Sequence, residues 1–299
     1  MNTIGSFAGV ARVPFLLLPP TLVASGAAAA AWDGSFSLPR TLLAAVGLVA
    51  LHMAVNIFNE WSDMRTGIDL HTERTPFSGG SGTLPAGGMS TKTAFWFGVA
   101  CSLVGLLIGV WFIQQVGWVL LPIIVAGAIS VVAYTDALAR VGVGEVAAGF
   151  GLGAGPVIGA ALVQNGVWSS AAAWAAVPAF CMTFNLLLLN EFPDEAADRE
   201  GGRRNLVILL GRKPAARMYA AAGLLTPLAI VLGVVAGALP LLCLVALAPS
   251  LLLAKPLWWV FSDPTSPIPI SALGANVIWN LATNTLLAVA FGVAVMTRS

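Results

Sequence analysis

Charge is scarce in this chain. Only 9% of its 299 residues are Asp, Glu, Lys or Arg, and it has just two histidines and two tyrosines. A soluble domain of this size needs a far more polar surface, so a water-exposed globular fold is excluded. A net charge of +1 and the lack of a basic tail argue against a nucleic-acid partner. The three cysteines, Cys101, Cys181 and Cys243, lie far apart in apolar runs. They show neither a disulfide framework nor metal-ligand spacing, and read as small core residues. The opening MNTIGSFAGVARVPFLLLPP lacks a basic start and a clear cleavage site, so it is expected to be retained. No long linker or internal repeat divides the sequence, and residues 1–299 are expected to form one domain.

What is present is apolar. Hydrophobic residues make up 58% of the chain and the mean hydropathy is +0.90. Apolar blocks recur at the length of about 20 residues that a helix needs to cross a bilayer core. The expected fold class is an all-α, multi-pass membrane protein with the lipid bilayer as partner. Nine spans can be drawn, at roughly 10–31, 41–60, 93–113, 116–136, 143–164, 171–191, 216–237, 239–261 and 271–297. The last carries Asn276, Asn280 and Asn284 at intervals of four, a polar line suited to interhelical hydrogen bonding or a cavity wall.

The bases fall almost entirely on one side. Arg12, Arg65, Arg74, Lys92, Arg140, Arg199, Arg203, Arg204, Arg212, Lys213, Arg217 and Lys255 share the side of the N-terminus, against Arg40 and Arg298 opposite. Such a bias makes that side cytoplasmic, and nine spans put the C-terminus outside. A bacterial or archaeal cytoplasmic membrane is expected. Every acid except Asp33 lies on the same side. Topology needs only the bases, so the acids require another explanation.

They gather in two clusters. The first, in NIFNEWSDMRTGID, closes the second span, and at 100° per residue Asn56, Asn59, Glu60 and Asp63 share one helix face. Gly67 can end that helix, leaving Asp69 on a loop. The second, in NEFPDEAADRE, closes the sixth span with Asn190, Asp194 and Asp198 four apart. Carboxylates converging beside a membrane cavity repel one another and are costly to desolvate. A divalent cation relieves that cost, and oxygen ligands suit Mg²⁺, which keeps positions open for substrate phosphates. The residues expected to hold it are Asn59, Glu60, Asp63, Asp69, Asn190, Asp194 and Asp198, with Arg65, Arg74, Arg203 and Arg204 neutralising a bridged diphosphate.

These motifs carry a resemblance. N-E-x-x-D-x-x-x-G-x-D at 59–69 is similar to the first aspartate-rich motif of the UbiA superfamily of intramembrane prenyltransferases, and N-E-F-P-D-x-x-x-D at 190–198 to the second. RTPFSGGSG and GVGE (142–145) are most similar to the menaquinone-pathway branch, which prenylates 1,4-dihydroxy-2-naphthoate. Glu60 stands where the family usually has Asp, Arg203–Arg204 replaces a common Gly-Lys, and a Tyr-x-x-x-Lys element is only partly present around Tyr134 and Arg140.

The resemblance implies a UbiA-type bundle around a central cavity. It implies a prenyl diphosphate with its head on Mg²⁺, an aromatic acceptor, and Asn59, Asp63, Asp194 and Asp198 as the catalytic set. Arg12 is expected either to face the acceptor or to anchor the helix at the membrane surface. Tyr134 and Arg140 either touch a substrate or are a core aromatic and a loop charge. His52 either lines the cavity or sits in the core; His71 is expected to face solvent. The loop TPFSGGSGTLPAGG (75–88) is either a phosphate cradle and lid or a flexible turn. Two rivals remain: a terpene cyclase using the same metal site with no acceptor, and a cation transporter, which should carry ionisable groups at mid-membrane.

Overall fold

The computed structural model of the protein describes residues 3–132 and 137–298; Tyr134 lies outside them. Every regular element among the described residues is a helix, as lipid demands of a backbone that cannot bond to water. In chain order they are α1 (Thr3–Val10), α2 (Leu18–Trp32) after a 3₁₀ turn, α3 (Leu38–Thr66), α4 (Ile68–His71), α5 (Thr91–Val116), α6 (Leu121–Val132), α7 (Gly144–Gly149), α8 (Gly155–Asn165), α9 (Ser170–Glu200), α10 (Leu206–Leu210), α11 (Arg212–Val235), α12 (Ala254–Ser262) and α13 (Ile270–Arg298).

Eight helical stretches are long and apolar enough to cross a membrane. The expected span 116–136 is not one of them. Gly117, at φ 85°, ends α5, and a 3₁₀ turn precedes α6. That expected span is described only in part: α6 runs up to Val132, and residues 133–136 lie outside the described residues. Conversely, α3 and α9 run past their apolar blocks to Thr66 and Glu200 and carry both acidic motifs on helix. Gly67 caps α3 in the left-handed region, φ 81°, as expected. Asp69 sits on the single turn of α4, not on an open loop.

Small side chains let the bundle close. α2 packs between α8 and α13, and α9 lies against α11. Ala29, Ala30, Ala161, Ala175 and Ala179 are buried there together, the close approach that drives helix association in lipid. Between α7 and α8 a π turn, Phe150–Ala154, leaves the carbonyl of Leu152 outside the regular ladder, where it accepts from the Thr183 hydroxyl at 3.2 Å. The asparagine line of α13 is buried. Asn276 accepts from the Tyr219 hydroxyl at 2.9 Å and donates to the Asn185 carbonyl at 3.2 Å, so it glues helices together and does not face lipid.

Two contacts mark the end of the bundle away from the acidic motifs. Arg298 lies 3.3 Å over the Trp32 ring, joining the ends of α13 and α2. A methyl added at Gly166 would lie 2.6 Å from the Val116 carbonyl oxygen, so the ends of α8 and α5 also meet.

Candidate active site

The two acidic helix ends face each other. Helical spacing puts Asn59 and Asp63 of α3, and Asn190, Asp194 and Asp198 of α9, on opposing walls of a cavity of about 190 Å³, with Asp69 of α4 at its rim. Asn59 donates to Asp63 Oδ2 at 3.1 Å. Arg203 spans the gap. One guanidinium nitrogen donates to Asn59 Oδ1 at 2.8 Å and also to Asp63, and the other to Asp198 Oδ1 at 3.1 Å.

The segment carrying Arg203 is clamped. Its amide donates to the Asp198 carbonyl at 2.8 Å and that of Arg204 to the Ala139 carbonyl at 3.0 Å. Asn205 donates to Asp198 Oδ2 at 2.9 Å while capping α10. The Leu206 amide donates to Glu145 Oε1 at 2.6 Å.

The Gly-Ser loop lies across both clusters. The Gly79 amide donates to Asp194 Oδ2 at 3.2 Å, and the amide and hydroxyl of Ser81 donate to Glu60 at 2.6 and 2.8 Å. Gly80, at φ 73°, passes so close to Asp69 that a methyl there would sit 2.6 Å from Oδ1. Of the two expectations for this loop, a cover over the site fits these contacts better than a free turn.

Glu60 behaves differently from its neighbours. Fully buried, it accepts from Arg12 Nε at 2.7 Å as well as from Ser81, and it does not line the cavity. Arg12 does line the cavity, and it is the one non-glycine residue with positive φ among those described, at 50°. Held in a region L-residues avoid, its backbone breaks the chain between α1 and the first span, and Glu60 fixes its side chain.

Four candidate bases are not brought to the cavity wall. Arg65 stacks 4.4 Å over Trp61 on the exposed face. Arg74 donates to the Asp69 carbonyl at 3.1 Å. Arg140 sits on a 3₁₀ turn beside Gly202, and Arg204 is exposed. His52 is buried and lines the cavity, whereas His71 is exposed. Helical spacing alone did not single out Glu191, which lines the cavity. The GVGE motif was the one sequence signal for Glu145.

Burial, and then the charges of Asp63 and Glu60, push Asp69 up to about 7. Among the described residues no three His, Cys, Asp or Glu side chains stand together as a finished metal cage; the Arg203 guanidinium lies between the two half-sites instead. The donor set nevertheless suits magnesium. Asn59, Asp63, Asn190, Asp194 and Asp198 bring carboxylate and amide oxygens to the facing walls, and Asp69 Oδ2 and Asp194 Oδ1 are buried without a hydrogen-bond partner.

Beyond the polar cavity lies an apolar chamber of about 610 Å³ between α3, α5, α6 and α8. Leu48, Leu51, Gly127, Val131 and Gly151 line both spaces, so the two adjoin.

Comparison with known proteins agrees with this fold. The chain is 27% identical to 1,4-dihydroxy-2-naphthoate octaprenyltransferase from Bacillus subtilis (strain 168) over 174 residues, 57% of this chain and 55% of that protein. The match thus spans about half the length of that relative. Two solved structures share the fold nearly end to end. A UbiA homolog from Archaeoglobus fulgidus bound to GPP and Mg²⁺ gives a TM-score of 0.68 at 14% identity, covering 98% of this chain and 99% of that one. The apo structure of a UbiA homolog from Aeropyrum pernix K1 gives 0.70 at 18% identity, covering 95% and 98%. With the UbiA prenyltransferase family model matching residues 17–281, the chain belongs to that family of membrane enzymes.

Proposed function

We propose that the enzyme moves a prenyl group from a prenyl diphosphate to an aromatic acceptor of the dihydroxynaphthoate type, with Mg²⁺ as cofactor. The observation that carries this reading is the wall of Asn59, Asp63, Asn190, Asp194 and Asp198 around a small cavity that adjoins a large apolar chamber. Head and tail of an isoprenoid diphosphate demand such a pair of spaces. The naphthoate assignment draws on the resemblance to the Bacillus subtilis octaprenyltransferase.

Those five residues, with Asp69, would hold the metal; once bound, it would supply the positive charge that binds the diphosphate and stabilises its departure. Glu60 serves instead to fix Arg12 and the loop at Ser81. Arg203 is the base placed to meet the leaving diphosphate's charge, in a site where low dielectric strengthens every such contact. The allylic C–O bond breaks, the electron pair leaves with the diphosphate, and a cation remains. Leu18, Val55, Leu152, Leu186 and Leu187 wall the cavity and keep water from it. The acceptor's ring carbon then forms the C–C bond, and the ring loses a proton or, in the naphthoate branch, its carboxyl group as CO₂. Arg12 at the cavity wall suits an acceptor carboxylate.

Nine crossings also make sense of the ends of the chain. Val116 and Gly166 meet away from the acidic motifs, while Glu145 of α7 bonds beside Asp198. A ninth crossing by the stretch that includes α6 would return the chain to the side of the acidic motifs between α5 and α7. The C-terminus then sits opposite the N-terminus, beside Trp32, and the basic, acidic face is cytoplasmic.

The test is mass spectrometry of products from a panel of prenyl diphosphates, with Mg²⁺ or a chelator, with and without dihydroxynaphthoate. A prenylated naphthol that needs both supports the proposal. A cyclic hydrocarbon or alcohol formed without acceptor replaces it with cyclisation, and metal-independent turnover overturns the metal site.

A further inference from the structure

We infer that Arg203 is a built-in counter-ion that occupies the gap between the two carboxylate half-sites in the metal-free enzyme and transfers to the diphosphate when cation and substrate enter together. The inference rests on the magnesium reading above and extends it to the order of binding.

The geometry is specific. A single guanidinium joins Asn59 and Asp63 of α3 to Asp198 of α9, at 2.8 Å from Asn59 and 3.1 Å from Asp198. These elements are 140 and more residues from Arg203 on one side and 5 on the other, so the contact is made by the fold and not by local sequence. Facing carboxylates with no cation between them repel, and the planar fork of arginine can bridge them where a point charge cannot. Asp63 and Asp198 are almost wholly buried, so one side chain relieves a large desolvation cost.

That contact has a consequence. A cation held by Asp63 and Asp198 competes with Arg203 for the same oxygens. Pushing the guanidinium out without a new anion would leave a charge with little solvent around it, which is costly. A diphosphate supplies the anion. Backbone bonds at Arg203 and Arg204 and the side chain of Asn205 hold the segment in place, so only the Arg203 side chain must swing. Metal and diphosphate therefore raise each other's affinity, as reciprocal coupling requires. Gly79 repeats the arrangement in miniature, its amide held on Asp194.

The test uses the full chain in nanodiscs, Mn²⁺ followed by electron paramagnetic resonance, and a geranylgeranyl thiolodiphosphate that cannot ionise. The native enzyme should bind Mn²⁺ about tenfold more tightly with the analogue present than without it, a coupling of about 1.4 kcal/mol. Arg203→Gln should bind Mn²⁺ alone at least fivefold more tightly than the native enzyme and lose most of the coupling. Arg203→Lys, which keeps a charge but not the fork, should fall between the two and serves as the test if the glutamine variant does not fold. Unchanged or weaker Mn²⁺ binding by these variants overturns the inference while leaving the magnesium site intact. A native enzyme that binds no Mn²⁺ with the analogue, or binds it equally well after Asp63→Asn, removes the magnesium reading and the inference with it.

Discussion

Gly80 passes over Asp69 with no room for a side chain between them: a methyl on Gly80 would lie 2.6 Å from the carboxylate oxygen, and its backbone already sits at φ 73°. Gly80→Ala therefore meets a steric and a conformational penalty at once, about 1–2 kcal/mol for the backbone alone. The loop should lift from the cavity. Turnover is expected to fall by roughly a hundredfold, the cost typical of misplacing a catalytic group by an ångström. Steady-state kinetics and a melting curve check this; near-native kcat/KM would show that the loop does not need that approach.

Glu60 separates a structural carboxylate from a metal-holding one. Removing it leaves Arg12 without its anion in a mostly buried position, and Glu60→Ala should cost about 3 kcal/mol of stability. Glu60→Gln, which keeps the shape, should lose less stability and hold Mn²⁺ as tightly as the native enzyme. A large loss of Mn²⁺ affinity in the glutamine variant would return Glu60 to the metal set.

Asp69 predicts a pH dependence. Its carboxyl is pushed up to about 7, first by burial and then by Asp63 and Glu60. Below that pH it is protonated and a poor ligand, so cation binding must displace a proton. Mn²⁺ affinity should strengthen as pH rises through 7 and level off above it, and Asp69→Asn should flatten the profile. The metal-free fold should respond oppositely. A folded carboxyl raised above its unfolded value binds more protons than the unfolded chain, so its contribution to stability declines from about pH 4 to 7 and stays low above. Melting temperatures across that range, with chelator, test the sign.

Gly127 lines both the polar cavity and the apolar chamber, and nothing lies within 4 Å of where its side chain would begin. Gly127→Phe should fill space where the two meet without disturbing packing. Long prenyl diphosphates are expected to lose roughly tenfold or more in kcat/KM, with the shortest substrate less affected. Equal losses at all chain lengths would place the tail elsewhere.

Helical spacing made the facing walls legible: Asn59, Asp63, Asn190, Asp194 and Asp198 follow from a period of 3.6 and two helix ends on one side. The same periodicity left open what Glu60 meets, because a helix face says which residues share a direction and not which neighbours they meet. Arg12 and Ser81, far along the chain, decide that. Arg65, Arg74 and Arg204 were grouped with the site by proximity in sequence and Arg140 by the partial Tyr-x-x-x-Lys resemblance, yet of these and Arg203 the cavity wall takes Arg203 alone. Long flexible side chains carry no directional signal until packing supplies one.

Leu103 and Leu106 line the apolar chamber and are about half exposed, as a door from the flank of the bundle would require. An isoprenoid that reaches the site by that door arrives by lateral diffusion within the lipid. Its availability is then set by its mole fraction in the leaflet, not by its amount per litre. Diluting the substrate with inert phospholipid should slow the enzyme even when the bulk quantities of enzyme and substrate stay the same.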